Sequence, residues 1–189
     1  MTILPIQVLG ASILRTETAP VVEITDEMQQ LIDDMFETMH AAMGIGLAAP
    51  QVGRSERVAV IEVEGTRLVA INPAIIDERG IDRAEEGCLS IPEIYGEVER
   101  SSHVTVCGTG RDGEMFTIEA DGLLARCLQH EIDHLHGKLF IDYLSFLKKR
   151  AVMAKWELQK SKYPDLLRIL TPDVIRRLRD EHADEDEDQ

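Results

Sequence analysis

The spacing of apolar positions changes twice along the chain, from helical to strand-like and back. Over "TDEMQQLIDDMFETMHAAMG", residues 25–44, Met28, Leu31, Ile32, Met35, Met39 and Ala42 recur at the intervals of one helical face. Thr25 suits the cap of this helix, Asp26 and Glu27 suit its positive end, and Gly44 can stop it. Methionine fills irregular gaps, so the stripe is read as core and His40 beside it as solvated. The middle is rich in Val and Ile. "RVAVIEVEG" (57–65) and "RLVAINP" (67–73) predict two strands joined at Glu64–Gly65. "EVERSSHVTVCGTG" (97–110) and "EMFTIEADG" (114–122) predict a second pair joined through "GTGRDG". His103 and Cys107 fall on one side of that strand and are read as ordinary strand residues.

Helical spacing then returns. A second helix is expected from Gly122 to His136 with Gly137 ending it, and a third from near Ser145 to just before Pro164. Leu147, Ala151, Ala154 and Leu158 would rest the third on the core. A short fourth has Thr171 as cap and Pro172 at its first position. Helices flanking mostly antiparallel strands predict an α+β fold. Without regular crossover helices, a doubly wound parallel sheet is not expected.

Composition narrows the setting. The chain has 189 residues, 44% of them hydrophobic, enough for one domain with a proper core. The net charge of −15 argues against DNA and anionic membranes as broad partners. No apolar run nears the ~20 residues of a membrane span, and the first twenty residues lack the pattern of an export leader. Cys88, Cys107 and Cys127 are odd in number and far apart, which points to a reducing cytoplasm and not to a disulfide framework.

Candidate chemistry concentrates in "LQHEIDHLHG", residues 128–137. On a helix, positions four apart lie one above the other, so His130 and His134 share a face while His136 turns away. Two imidazoles one turn apart can grip a divalent metal, and Glu131 beside them can take a proton from water that the metal acidifies. A catalytic site needs a third protein ligand. Phe140 stands where a metzincin would have its third histidine. Glu157 is a possible ligand on the following helix, though the surrounding residues are basic. Among the cysteines, Cys127 lies in an apolar run and reads as packing, and Cys107 has no supporting motif. Cys88 lies in "EEGCLSIPE", a Gly- and Pro-bounded loop that could bring a thiolate to the helix.

"GIGLAAPQVG" (44–53), "EGCLS" (86–90) and "QHEIDHLHG" (129–137) resemble the three signature motifs of the peptide deformylase family, in order, within a likeness that spans roughly residues 3–150. The resemblance implies Cys88, His130 and His134 as metal ligands and Glu131 as general base and then acid. It implies Gln51 and the backbone N–H of Leu89 as oxyanion donors. It places Gly46 beside the extended substrate and Ile45, with Leu123, at the wall of a methionine pocket. The ion implied is Fe(2+), with Zn(2+), Ni(2+) or Co(2+) able to substitute, and the substrate is the formyl-methionyl end of nascent peptides. Arg126 and Tyr95 depart from the pattern and are expected to alter preference along the peptide, not the chemistry. The competing reading is a zinc endopeptidase.

The implied organisation is a catalytic domain over residues 1–145, a helical extension over 146–180, and an acidic, disordered tail over 181–189. "SFLKKRAVMAKWELQKSK" (145–162) is basic, which suggests a contact with ribosomal RNA at the site of synthesis.

Overall fold

The computed structural model describes residues 2–187. Strand β1 (Ile6–Gln7) precedes helix α1 (Asp26–Ala41). Seven strands follow: β2 (Gly46–Ala48), β3 (Val58–Val63), β4 (Thr66–Arg79), β5 (Asp82–Cys88), β6 (Ile91–Arg100), β7 (His103–Thr109) and β8 (Met115–Asp121). Then come α2 (Gly122–Leu135), α3 (Phe146–Gln159), β9 (Leu167–Arg168) and α4 (Pro172–Glu187). Strands β2-β3-β4-β7-β8 form one sheet in that order, β5 and β6 form a separate hairpin, and β1 pairs with β9. Every strand pairing is antiparallel, and the fold is α+β as the sequence predicts. No helix of the described residues is long and apolar enough to cross a membrane.

The first helix follows its pattern closely. The Thr25 hydroxyl accepts from the Met28 amide at 3.3 Å, and all six stripe residues are buried. Its end differs in one respect. Met43, not Gly44, takes the left-handed conformation (φ 58°), and the Gly44 amide returns to the Met39 carbonyl. Gly44 is needed for space instead, because a Cβ there would stand 2.7 Å from Leu89 Cδ1. His40 is partly exposed and pairs with Glu62 at 3.1 Å. The β3–β4 turn holds Glu64 and Gly65 at positive φ, the geometry of a tight two-residue hairpin.

Three expectations need correction. Residues 97–110 are two strands in different sheets. The Gln129 amide takes both the N–H (3.0 Å) and the C=O (2.9 Å) of Ser101, so the ladder ends there and the chain turns. Second, Cys88 closes β5 and is not part of a free loop; the charged run "DRAEEGC" hid that strand. Third, α3 buries a different face. Val152, Trp156 and Gln159 are buried, with Met153 packed against the same cluster, while Leu147 and Leu158 are 74% and 86% exposed. The large Trp156 ring stacks on Tyr163 and sets that orientation. The fourth helix is longer than expected and continues past residue 181 to Glu187; residues 188–189 lie outside the described residues.

Helix α2 lies at the centre. Ala125, Leu128, Ile132 and Leu135 pack against Ala59, Ile61, Val104 and Val106 of the large sheet, leaving the opposite face to carry polar side chains. Burial of each Leu, Ile or Val side chain among these contributes roughly 1.5–3 kcal/mol.

Candidate metal centre

One helical turn brings His130 and His134 together with ring centroids 4.9 Å apart. Their Nε2 atoms are separated by 3.2 Å, and Cys88 Sγ stands 3.3 Å from His134 Nε2. The ligand atoms of all three residues lie within 4.8 Å of one another. Cys88 arrives from the opposite side, at the end of β5, where the register with β6 shifts and its partner becomes Ile91.

Gln51 sits on a short 3-10 helix, Ala49–Val52, and is 1% exposed. Its Oε1 accepts from the Ala48 amide at 2.8 Å, which fixes the orientation of the side chain. The NH2 end therefore faces the thiol, at 3.6 Å from Cys88 Sγ and 3.2 Å from Ser90 Oγ.

A buried ionic network stands behind this cluster. Glu86 Oε2 meets His130 Nδ1 at 3.0 Å, while Arg100 approaches the same carboxylate at 2.9 and 3.0 Å and Arg126 at 2.7 Å. Burial opposes ionisation of Glu86, but hydrogen bonds from His130 and Arg100 prevail and hold its carboxyl down at about 2. Arg100 also pairs with Asp133, which accepts from the Tyr143 hydroxyl at 2.8 Å. With Nδ1–H committed to Glu86, His130 presents its Nε2 lone pair to the cluster.

Three lone pairs this close repel unless a positive charge lies among them. Burial disfavours charge on both rings, but Cys88 and Glu86 draw the His130 pKa well above its ordinary range, while burial and the charge on His130 push that of His134 well below. A thiolate and two imidazoles suit a borderline divalent ion, so these residues fit a metal. Glu131 completes the arrangement. It is 4% exposed, its Oε2 has no hydrogen-bond partner, and burial pushes its carboxyl up to about 7. His134 Nδ1 is likewise buried without a partner. Gly46 makes room for Glu131, because a Cβ there would stand 2.4 Å from Glu131 Oε1 and 2.8 Å from Cys127 Sγ. Its missing side chain therefore serves Glu131 directly.

The centre opens into a cleft of about 860 Å³ lined by Ile45, Gly46, Leu89, Leu123 and Tyr95, among others. β2 is an edge strand of the sheet, so Gly46 lies on a strand edge beside this space, while the Ile45 carbonyl is taken by the Glu62 amide at 2.8 Å. Arg126 borders the cleft with its guanidinium turned to Glu86 and Asp82. Tyr95 is 61% exposed and packs on Gly87 beside Cys88.

The other candidates fall away. His136 points to Glu17, Glu157 pairs with Lys160 on the surface, and Phe140 is core. Cys127 is buried with its Sγ directed to the Ile45 carbonyl. His103 is exposed against Ser102. Sequence reasoning assigned no part to Glu86, Arg100 or Asp133. The available signal was that a ligating histidine needs an acceptor for its second nitrogen, and Glu86 is two residues from Cys88.

A cysteine sulfur, two imidazoles one helical turn apart and a buried carboxyl group beside them make this an HExxH metal-dependent hydrolase. Residues 3–150 match the polypeptide deformylase family. The chain is 50% identical over 161 residues to a peptide deformylase of Alkalilimnicola ehrlichii, covering 83% of this chain and 90% of that one. It is 51% identical over 162 residues to a peptide deformylase of Agrobacterium fabrum, covering 82% and 95%. The crystal structure of a peptide deformylase from Legionella pneumophila superposes with a TM-score of 0.82 at 45% identity, covering 85% of this chain and 96% of that one. The chain belongs to the peptide deformylase family: it hydrolyses the N-formyl group from the initiator methionine of new polypeptides and releases formate. A zinc endopeptidase is not favoured.

Proposed function

We propose that Cys88, His130 and His134 hold a single divalent ion, Fe(2+) in the native enzyme, with Zn(2+), Ni(2+) or Co(2+) able to replace it. The bound ion supplies a Lewis acid that acidifies water and polarises the formyl oxygen. Glu131 accepts a proton from the attacking water and delivers it to the departing amine, a role suited to a buried, partnerless carboxylate raised to about 7. The Gln51 NH2 group, aimed at the ligand sulfur, and the Leu89 backbone N–H donate to the oxyanion. Gly46, on the sheet edge, lies beside the substrate main chain in extended form, and Ile45 and Leu123 bound the methionine side chain. Glu86 keeps His130 in the ligating tautomer.

The observation that carries this reading is the convergence of three ligand atoms within 4.8 Å beside the unpartnered Glu131 Oε2. The test is formate release from a formyl-methionyl tripeptide by enzyme purified anaerobically with iron. Glu131→Ala should lower the rate by about 10²- to 10⁴-fold with metal content unchanged. Full activity in that variant, or loss of metal in step with activity, overturns the assigned role. The setting we propose is the cytoplasm, where the free thiols stay reduced. Contact of α3 with the ribosome rests on its charge. Lys148, Lys149, Lys160 and Lys162 already have carboxylate partners, which leaves Arg150 and Lys155 to meet phosphate. Unchanged co-sedimentation with ribosomes after charge reversal at Arg150 and Lys155 removes that contact.

A further inference from the structure

The cleft has a second wall, and it comes from beyond residue 150, where the family match ends. Arg168 of β9 and Val174, Arg177 and Leu178 of α4 face the metal centre across it. This wall is anchored. β9 pairs with β1 through Ile6↔Arg168, and Val174, Ile175 and Leu178 pack on a cluster of Ile6, Ala41, Ala42 and Leu170.

The charges on the cleft are unevenly matched. Among its lysines and arginines, Arg126 meets Glu86 and Asp82, Lys162 meets Glu93, and Arg177 meets Glu181. Among the described residues, Arg168 has no carboxylate within 4 Å; its hydrogen bond, at 3.4 Å from Nη1, goes to the Leu89 carbonyl. Burial pulls its pKa below the ordinary arginine range and outweighs the more distant charge of Glu93, as expected for a half-buried guanidinium without a contacting carboxylate. It remains charged, with donors to spare. Leu89 directly follows the metal ligand Cys88, so this guanidinium stands at the metal end of the cleft. An extended peptide advances about 3.3 Å per residue. A main chain laid along Gly46 would carry its first residues after the formyl-methionine through the cleft that Arg168 lines.

We propose that Arg168 is a specificity residue that receives an acidic side chain at the second or third position of the formyl peptide. The inference rests on the deformylase reading and adds a preference that residues 3–150 do not encode.

The experiment compares four formyl tripeptide amides, formyl-Met-Glu-Ala, formyl-Met-Lys-Ala, formyl-Met-Ala-Glu and formyl-Met-Ala-Lys. For each position, the ratio of kcat/KM for the Glu peptide to that for the Lys peptide is taken with the iron enzyme at low salt. The wild type should favour Glu at one of the two positions by about two- to five-fold, the range for a partly exposed ion pair. Added salt should shrink that ratio. It should fall to near one in Arg168→Gln and invert in Arg168→Glu. Each ratio is measured within a single protein, so a partly unfolded variant still reports it. A ratio near one at both positions in the wild type, or a preference that survives both substitutions, overturns the proposal while leaving deformylation intact. No formate from any of the four peptides overturns the deformylase reading itself, and this inference with it.

Discussion

Strands β3–β4 and β5–β6 are successive antiparallel hairpins built from opposite materials. In the first, Val58 and Val60 pack towards α1 while Ala59 and Ile61 pack towards α2, and all four are at most 1% exposed. In the second, Arg83 opposes Glu99 at 2.8 Å on the outer face, and Glu86 and Arg100 are among the buried groups. The first hairpin is held by area removed from water, which tolerates small errors of position. The second is held in part by a closed set of charges, in which removing one member leaves the rest unsatisfied. A buried ion cluster is seldom the most stable way to fill a core. Its value here is directional: Glu86 orients His130, and the strand carrying Glu86 ends at Cys88. The fold is supported by the apolar hairpin, and the metal centre is aimed by the charged one.

The sharpest way to break this comparison is Arg100→Met. It removes two of the contacts to Glu86 and the ion pair with Asp133, and should cost about 3–5 kcal/mol in urea unfolding. It should also weaken metal binding about 10- to 100-fold in a chelator titration, because His130 loses its fixed acceptor. Next in size is Ile61→Ala, at about 2–4 kcal/mol, with the metal affinity of the folded protein unchanged. Metal affinity that falls equally in both variants would show that the hairpins do not divide support from aim.

The same contrast explains what the sequence made legible. α1, the β3–β4 hairpin and α2 announce themselves because burial on a helix or strand imposes its period on apolar residues. His130, Glu131 and His134 are legible for a related reason, since one helical turn fixes their relation before any tertiary contact. β5 is not legible. "DRAEEGC" is charged because its neutralising partners, Arg100 and Arg126, come from a neighbouring strand and from α2, and no local window contains them. The ligating role proposed for Cys88 was accessible through resemblance to a family, not through any pattern of its own. α3 failed differently: helical spacing allowed two faces, and the choice was made by Trp156 and its stack on Tyr163, a contact outside the helix. Arg168 lay in a stretch without a motif, and its place opposite the metal centre follows from a two-residue strand pairing with the other end of the chain.

The smallest effect separates the two kinds of support by pH. Glu86 is held at about 2 against its burial by His130 and Arg100. Asp142, between β6 and α3, is also held at about 2, with Arg15 and Lys149 overcoming partial burial. Unfolded carboxylates titrate near 4, so below about pH 5 the unfolded chain binds protons that the folded chain does not. Stability from these groups is complete above that point and is lost as pH falls towards 2. Ile61→Ala removes no charge and should lower the whole stability curve while keeping its acid slope. Asp142→Asn should do the reverse. Its side chain is 30% exposed, and solvent screening limits the cost at pH 7 to about 0.5–1 kcal/mol, but the slope between pH 5 and pH 3 should become shallower. Neither residue is among the proposed metal ligands, so any release of metal in acid enters both curves equally and cancels in the comparison. Urea unfolding at pH 7, 5, 4 and 3 measures both. Parallel curves for Asp142→Asn and the wild type would mean that the Arg15 and Lys149 contacts do not persist in solution.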